Sequence, residues 1–204
     1  MTWNALGIEG AWAIKPQVHA DLRGSFREGF RASEFAQAVG HPFHLAQMNI
    51  SESKAGVLRG IHFAILPLSQ AKYVTCVKGS VVDYVIDIRV GSPTFGQWEA
   101  VELDSADPAS VYLSEGLGHA FISLEDDSTV AYLCSEPYTP SREFGISPFD
   151  PELAVQWPST NAKGVPLEPL LSEKDAEAPT LAQAAEMGLL PDYQELLDLG
   201  ASLR

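Results

Sequence analysis

Apolar and polar residues alternate at short range through the first two thirds of the chain, broken often by turn signals. Ala71–Val77 alternates, Lys78-Gly79 offers a tight turn, and Ser80–Val90 resumes the pattern, so the stretch predicts two hairpin-linked strands. Further runs at Val57–Phe63, Gln97–Leu103, Ser110–Leu113, His119–Leu124 and Ser128–Cys134 also read as strands. The spacers Gly91-Ser92-Pro93-Thr94 and Glu125-Asp126-Asp127 carry turn chemistry. Many short strands at close spacing predict an all-β sandwich or barrel. Before residue 150 only Ala32–Val39 reads as helix. The pattern changes after Trp157-Pro158. Ser159–Pro169 is loop-like, and Pro179–Leu199 places Leu181, Ala184, Ala185 and Leu189, then Tyr193, Leu196 and Leu197, at helical spacing. One or two short acidic helices are expected there, broken at Gly188 and Pro191. The expected division is a barrel over residues 1–158 and a C-terminal loop and helical arm over 159–204, packed on it.

The bulk composition narrows the function. A chain of 204 residues fits one domain plus an appendage, and 46% hydrophobic content with 20% charged content suffices for a sizeable core. The net charge of −14 repels nucleic acid and anionic membranes, so neither is an expected partner. An anionic ligand then requires a local group of Arg and Lys against the overall sign. Cys76 and Cys134 both lie in strand-like runs and read as reduced core thiols of a cytoplasmic protein. No basic region followed by an apolar run opens the chain, and no apolar run approaches ~20 residues, so neither a signal peptide nor a membrane span is expected.

Several strands carry residues that a core does not need. In a strand, Gln70, Lys72, Val74 and Cys76 share one face; if that face is inward, Lys72 points into the barrel, and otherwise it reaches solvent near the strand end. Alternation alone puts Arg59 and His62 on opposite faces, but Gly60 between them is a bulge signal, and a bulge brings both to one face. Tyr132 shares a face with Val130 and Cys134, where a tyrosine serves packing or chemistry. Gln47 and Asn49 project two amides together, and Asp21–Glu28 sets Arg23, Phe26, Arg27 and Glu28 beside a turn. There is no Gly-rich phosphate loop, nucleophile elbow or zinc-type Cys pair. His62 is followed by Phe63 and Ala64, not by the second histidine of a metal-binding cupin, and His119 stands alone. No metal and no cofactor are expected.

Taken in order, these segments resemble one family. Gln47-Met48-Asn49-Ile50-Ser51, Gly56–Phe63, Gln70-Ala71-Lys72, Val85–Arg89 and Gly91–Gly96 are similar to dTDP-4-dehydrorhamnose 3,5-epimerases. So are Glu115–Phe121, Tyr138-Thr139-Pro140 with Glu143, Asp150-Pro151, Trp157-Pro158 and Leu171–Asp175. The resemblance runs from about residue 5 to 190. It implies a cupin-type jelly-roll barrel, a homodimer and a dTDP-sugar substrate. It further implies that His62 is the base, Asp175 orients it, Tyr132 is the acid on the opposite face, and Lys72 sits near the C4 oxygen as enolate charge develops. Arg23, Phe26, Glu28, Gln47, Asn49, Arg59, His119, Tyr138, Glu143 and Lys174 match ligand-contacting positions, with Tyr138 stacking on thymine. The strand-rich Gly10–Val18 is expected to pair across the dimer, bringing Arg23 near the partner's site. Gly118-His119-Ala120-Phe121 departs from the Ala-His-Gly-Phe common in the family, and Pro148-Phe149 replaces a Trp before Asp150. Relatives with the same motifs invert only C3, which is the nearest alternative activity. A non-catalytic sugar-nucleotide-binding cupin is the alternative from another class.

Overall fold

Alternation resolves into two facing antiparallel sheets. The computed structural model describes residues 1–67 and 69–202, with side chains described through residue 198. In chain order the strands are β1 Thr2–Ala5, β2 Ala11–Lys15, β3 Val18–Asp21, β4 Gly24–Arg27, β5 Gln47–Ser53, β6 Leu58–Ala64 and β7 Lys72–Lys78. They continue with β8 Ser80–Ile86, β9 Trp98–Asp104, β10 Ser110–Leu113, β11 Gly118–Ser123, β12 Ser128–Cys134 and β13 Glu143–Gly145. The helices are α1 Ala32–Val39, α2 Glu173–Ala176, α3 Leu181–Glu186 and α4 Tyr193–Ser202. One sheet has the order β1-β2-β10-β7-β12-β5 and the other β13-β6-β11-β8-β9, while β3 and β4 form a separate hairpin. This is the all-β, cupin-type jelly-roll architecture with short C-terminal helices. Among the described residues no helix is long and apolar enough to cross a membrane.

Strand parity sorts the side chains into three cores. Val74 and Cys76 of β7, Val81 and Val85 of β8, Phe121 of β11 and Val130 of β12 meet between the two sheets. Leu58, Tyr84, Ile86, Ala120 and Ile122 face outward from the five-stranded sheet and are covered by Leu153, Val155, Leu181 and Ala184. On the outer face of the six-stranded sheet, Ile14, Tyr73 and Tyr112 pack under Phe35 of α1. Burying each of the Val, Leu, Ile and Phe side chains among these contributes about 1.5–3 kcal/mol. The turn after β7 is Gly79, with φ of 72°, where a Cβ would lie 2.6 Å from Ser128 Oγ.

Two expectations are corrected. The strand predicted over Ser80–Val90 ends at Ile86. Asp87 captures the Arg89 backbone N–H and guanidinium and the hydroxyls of Ser92 and Thr94, and this side-chain competition turns the chain. Of the segment Gly10–Val18, expected to pair across a dimer, β2 has both edges taken, by β1 on one side and β10 on the other, and only Val18, in β3, lies on a strand with an open edge among the described residues. The exposed element of this region is instead the β3–β4 hairpin.

Candidate active site

The bulge at Gly60 builds one wall of the site. Between β11 and β6, His119 pairs with His62 but Phe121 pairs with Arg59, so β6 uses three steps where β11 uses two. The extra residue turns Arg59 and His62 to the same side, and both line a cavity of about 410 Å³. Gly60 has φ of 121°, and a Cβ there would sit 2.5 Å from Ala120 Cβ and 2.6 Å from the His119 carbonyl oxygen. Only glycine permits this approach. Tyr138, Glu143, Lys174 and Asp175 line the same cavity, with Leu170 and Leu171.

Asp175 arrives from far along the chain. Ser172 caps α2, its hydroxyl accepting the Asp175 N–H at 3.1 Å, which fixes the first turn. His62 Nε2 then donates to Asp175 Oδ1 at 2.6 Å. The imidazole is 36% exposed and the carboxylate only 6%, so His62 stays reachable while the carboxylate that bonds it is dry. Burial alone pushes the Asp175 carboxyl up. Hydrogen bonds from His62, Ser172 and the Gly60 N–H, with the His62 charge, outweigh it and hold the group below the usual carboxylate range. With Nε2 committed, Nδ1 carries the free lone pair.

The facing sheet supplies the other groups. Register aligns Gln47, Cys134 and Lys72 in one row and Asn49, Tyr132 and Val74 in the next. Because Val74 and Val130 lie in the inter-sheet core, Lys72, Tyr132 and Cys134 share the inward face. Lys72 is 7% exposed, so the reading in which it reaches solvent is corrected. Burial pulls its ammonium pKa down, opposed by Glu143, Cys134 and Asp83. Tyr132 is half-buried, and burial chiefly pushes its hydroxyl up, which keeps it a proton donor at neutral pH. Cys134 is pushed to about 11 by burial and is a thiol. His119 is buried and donates from Nε2 to Asp83 at 2.7 Å. Gln47 Nε2 donates to Asn49 Oδ1 at 2.6 Å and its oxygen accepts the Tyr138 N–H at 2.9 Å. Arg59 donates to Ser53 Oγ and the Glu52 carbonyl, and Lys174 to the Glu143 carbonyl.

Three anticipated residues lie elsewhere in this chain. Arg23 stands at the tip of the β3–β4 hairpin, 90% exposed and paired with Asp21. Phe26 is exposed on β4, and Glu28 pairs with Arg31. Of the anticipated residues, Arg59, His62, Tyr138, Glu143, Lys174 and Asp175 line the His62 cavity; Lys72, Tyr132, His119, Gln47 and Asn49, on neighbouring strands, do not, nor do Arg23, Phe26 and Glu28. Residue-pattern reading also missed Asp83, for which a carboxylate between Val81 and Val85 was the available signal. Among the described residues no three His, Cys, Asp or Glu side chains converge as a metal site.

A histidine oriented by a buried carboxylate, inside a cupin-type barrel with an inward lysine and tyrosine, is the arrangement of a proton-transferring barrel enzyme. The family model described as dTDP-4-dehydrorhamnose 3,5-epimerase matches residues 5–183. The chain belongs to that family of isomerases. It is 53% identical over 204 residues to a dTDP-4-dehydrorhamnose 3,5-epimerase of Mycolicibacterium smegmatis, covering 100% of this chain and 98% of the relative. It is 51% identical over 191 residues to a dTDP-4-dehydro-6-deoxyglucose 3-epimerase of Streptomyces bikiniensis, covering 94% of each. The solved rmlC epimerase of Mycobacterium tuberculosis superposes with a TM-score of 0.95 at 49% identity, covering 100% of both chains. A 3'-monoepimerase of Streptomyces bikiniensis, solved in complex with dTDP-quinovose, gives 0.92 at 49% identity and covers 98% of both.

Proposed function

We propose that the chain inverts C3 and C5 of dTDP-4-dehydro-6-deoxy-D-glucose, giving dTDP-4-dehydro-L-rhamnose through enolate intermediates. The observation that carries this is the His62–Asp175 pair at the cavity wall, opposite a sheet that turns Lys72 and Tyr132 inward. His62 removes the proton beside the C4 ketone, with Asp175 holding the imidazole in one tautomer. Lys72 stabilises negative charge on the C4 oxygen, an interaction strengthened by its dry surroundings. Tyr132 returns a proton from the other face. No cofactor enters these steps.

Arg59 supplies a cation for the diphosphate, Tyr138 stacks on thymine, and Gln47, Asn49, His119, Glu143 and Lys174 line the sugar and nucleotide path. Arg23, Phe26 and Glu28 act on the second copy of a homodimer. Two features support the dimer. The hairpin that bears Arg23 and Phe26, with Glu28 just after it, stands free of its own cavity, and Met48, Ile50 and Val77 are exposed on the six-stranded sheet. Residues 1–158 form the barrel and 159–204 the arm that delivers Asp175. The buried free thiols suit a reducing compartment, the cytoplasm.

The second reading is C3-only inversion, favoured by the identity to the Streptomyces bikiniensis 3-epimerase. Incubation with dTDP-4-keto-6-deoxy-D-glucose in deuterated water decides between them by NMR and mass. Label at C3 and C5 is expected; label at C3 alone makes the chain a C3-epimerase, and no label at either carbon overturns the epimerase reading.

A further inference from the structure

Asp83 has no part in the proton transfers above, yet it occupies the barrel interior. On β8 it shares the inward face with Val81 and Val85, both in the inter-sheet core, where a valine would complete the packing. It is 0% exposed. Its Oδ2 accepts from His119 Nε2, and its Oδ1 has no hydrogen-bond partner among the described residues. A buried carboxylate with half its acceptor capacity idle is costly unless neighbouring charge or a ligand answers it. Two neighbours do so. His119 is the register partner of His62, and Lys72 comes from the facing sheet and feels the Asp83 charge.

We propose that Asp83 is a positioning residue for the epimerisation: it fixes the His119 ring and, with Glu143, keeps the Lys72 ammonium charged beside the sugar's C4 oxygen. The inference rests on the function proposed above. Asp83 itself transfers no proton. With Nε2–H committed to Asp83, His119 Nδ1 is left to accept a hydrogen bond from a sugar hydroxyl. The titratable groups acting on Lys72 are Glu143 on β13, Cys134 on β12 and Asp83 on β8. Asp83 and Glu143 both oppose the loss of its proton that burial favours.

The test is Asp83→Asn in the full-length enzyme, with the wild type measured alongside. The substitution keeps volume and removes charge. The expected kcat falls about 10- to 100-fold, by analogy with removing the hydrogen-bond partner of a metal-ligating histidine, while dTDP affinity is unchanged. The alkaline limb of the kcat profile moves to lower pH, because Lys72 has lost one of the anions that keep it protonated. A merely structural Asp83 would leave that limb in place, and a folded variant with wild-type kcat and limb overturns the inference. Imidazole ¹⁵N shifts in the wild type provide a check that needs no variant. A protonated Nε2 and bare Nδ1 on His119 are expected, and the reverse overturns the inference. Wild-type turnover in the same experiment separates failure of the epimerase reading from failure of the role given to Asp83.

Discussion

Replacing Tyr132 with phenylalanine removes one oxygen and leaves the ring in place. That ring packs against the inter-sheet core, and phenylalanine preserves the contact. The lost hydroxyl costs at most about 0.5–1.5 kcal/mol of net hydrogen bonding. At roughly 2–4 °C per kcal/mol for a chain of this size, melting falls by a few degrees. Inversion should fall far more. A positioned acid contributes about 100- to 10,000-fold, which is about 2.7–5.4 kcal/mol at ~1.36 kcal/mol per tenfold. Loss of folding cannot produce that deficit at 25 °C. Enolate formation should survive, because His62 and Lys72 remain and His62 can return a proton to the face it came from. The assay is therefore two-channel: deuterium incorporation by mass, and configuration by NMR of the same sample. The expected result is deuterium at C3 with retained configuration and little inverted product. Near-wild-type inversion would remove Tyr132 from the mechanism. Loss of both exchange and inversion in a folded variant would instead mean that Tyr132 acts at the abstraction step.

Three further outcomes follow from the geometry. Burial raises the Asp87 carboxyl, but its bonds from Arg89, Ser92 and Thr94 win and hold it low. Asp87→Asn strands a buried guanidinium and should cost about 3–5 kcal/mol at neutral pH. The wild-type advantage is fully present above the ordinary carboxylate value of about 3.9 and is lost as pH falls through the lower folded-state value; a gap in urea unfolding that ignores pH would refute this. Tyr138→Ala should weaken dTDP binding by about 1–3 kcal/mol, the range for base–aromatic stacking. Calorimetry showing unchanged affinity would end that role. Gly60→Ala meets Ala120 and the His119 carbonyl, so about 1–3 kcal/mol of overpacking is expected. Turnover should drop more than dTDP affinity, because the bulge aims His62. An unaltered melting temperature with full activity would show that the bulge has room.

Legibility in the sequence followed the range of the physics. Parity placed Lys72 on the same face as Val74 and Cys76, and Gly60 between Arg59 and His62 announced the bulge that joins them. Helix α1 and strands β10 and β12 were readable to the residue, since each has clear periodicity and bounded ends. The end of β8 was not. The apolar run continues past Ile86, and only a side-chain contest centred on Asp87 stops it. Hairpin β3–β4 is exposed on both faces and has little amphipathic pattern to read. The four-residue α2 was also invisible to periodicity. Its pairing with His62 spans 113 positions, and no local pattern encodes such a contact; motif resemblance alone pointed to it. The partnership of Asp83 with His119 depends on neighbouring strands meeting in register, which alternation within one strand does not specify.

Because Asp175 follows the last barrel strand, biosynthesis makes His62 long before the carboxylate that bonds its ring. β6 carries His62, and β13 completes the sheet at Gly145, but the carboxylate lies a further segment on. That segment docks as Leu170 exchanges backbone hydrogen bonds with Gly56 and Leu58 beside the cavity. A nascent chain therefore holds every barrel strand while the imidazole is still unguided. The pair forms only with docking of this later segment, so an interrupted translation product ending before Ser172 would have His62 but lack the carboxylate that holds its ring.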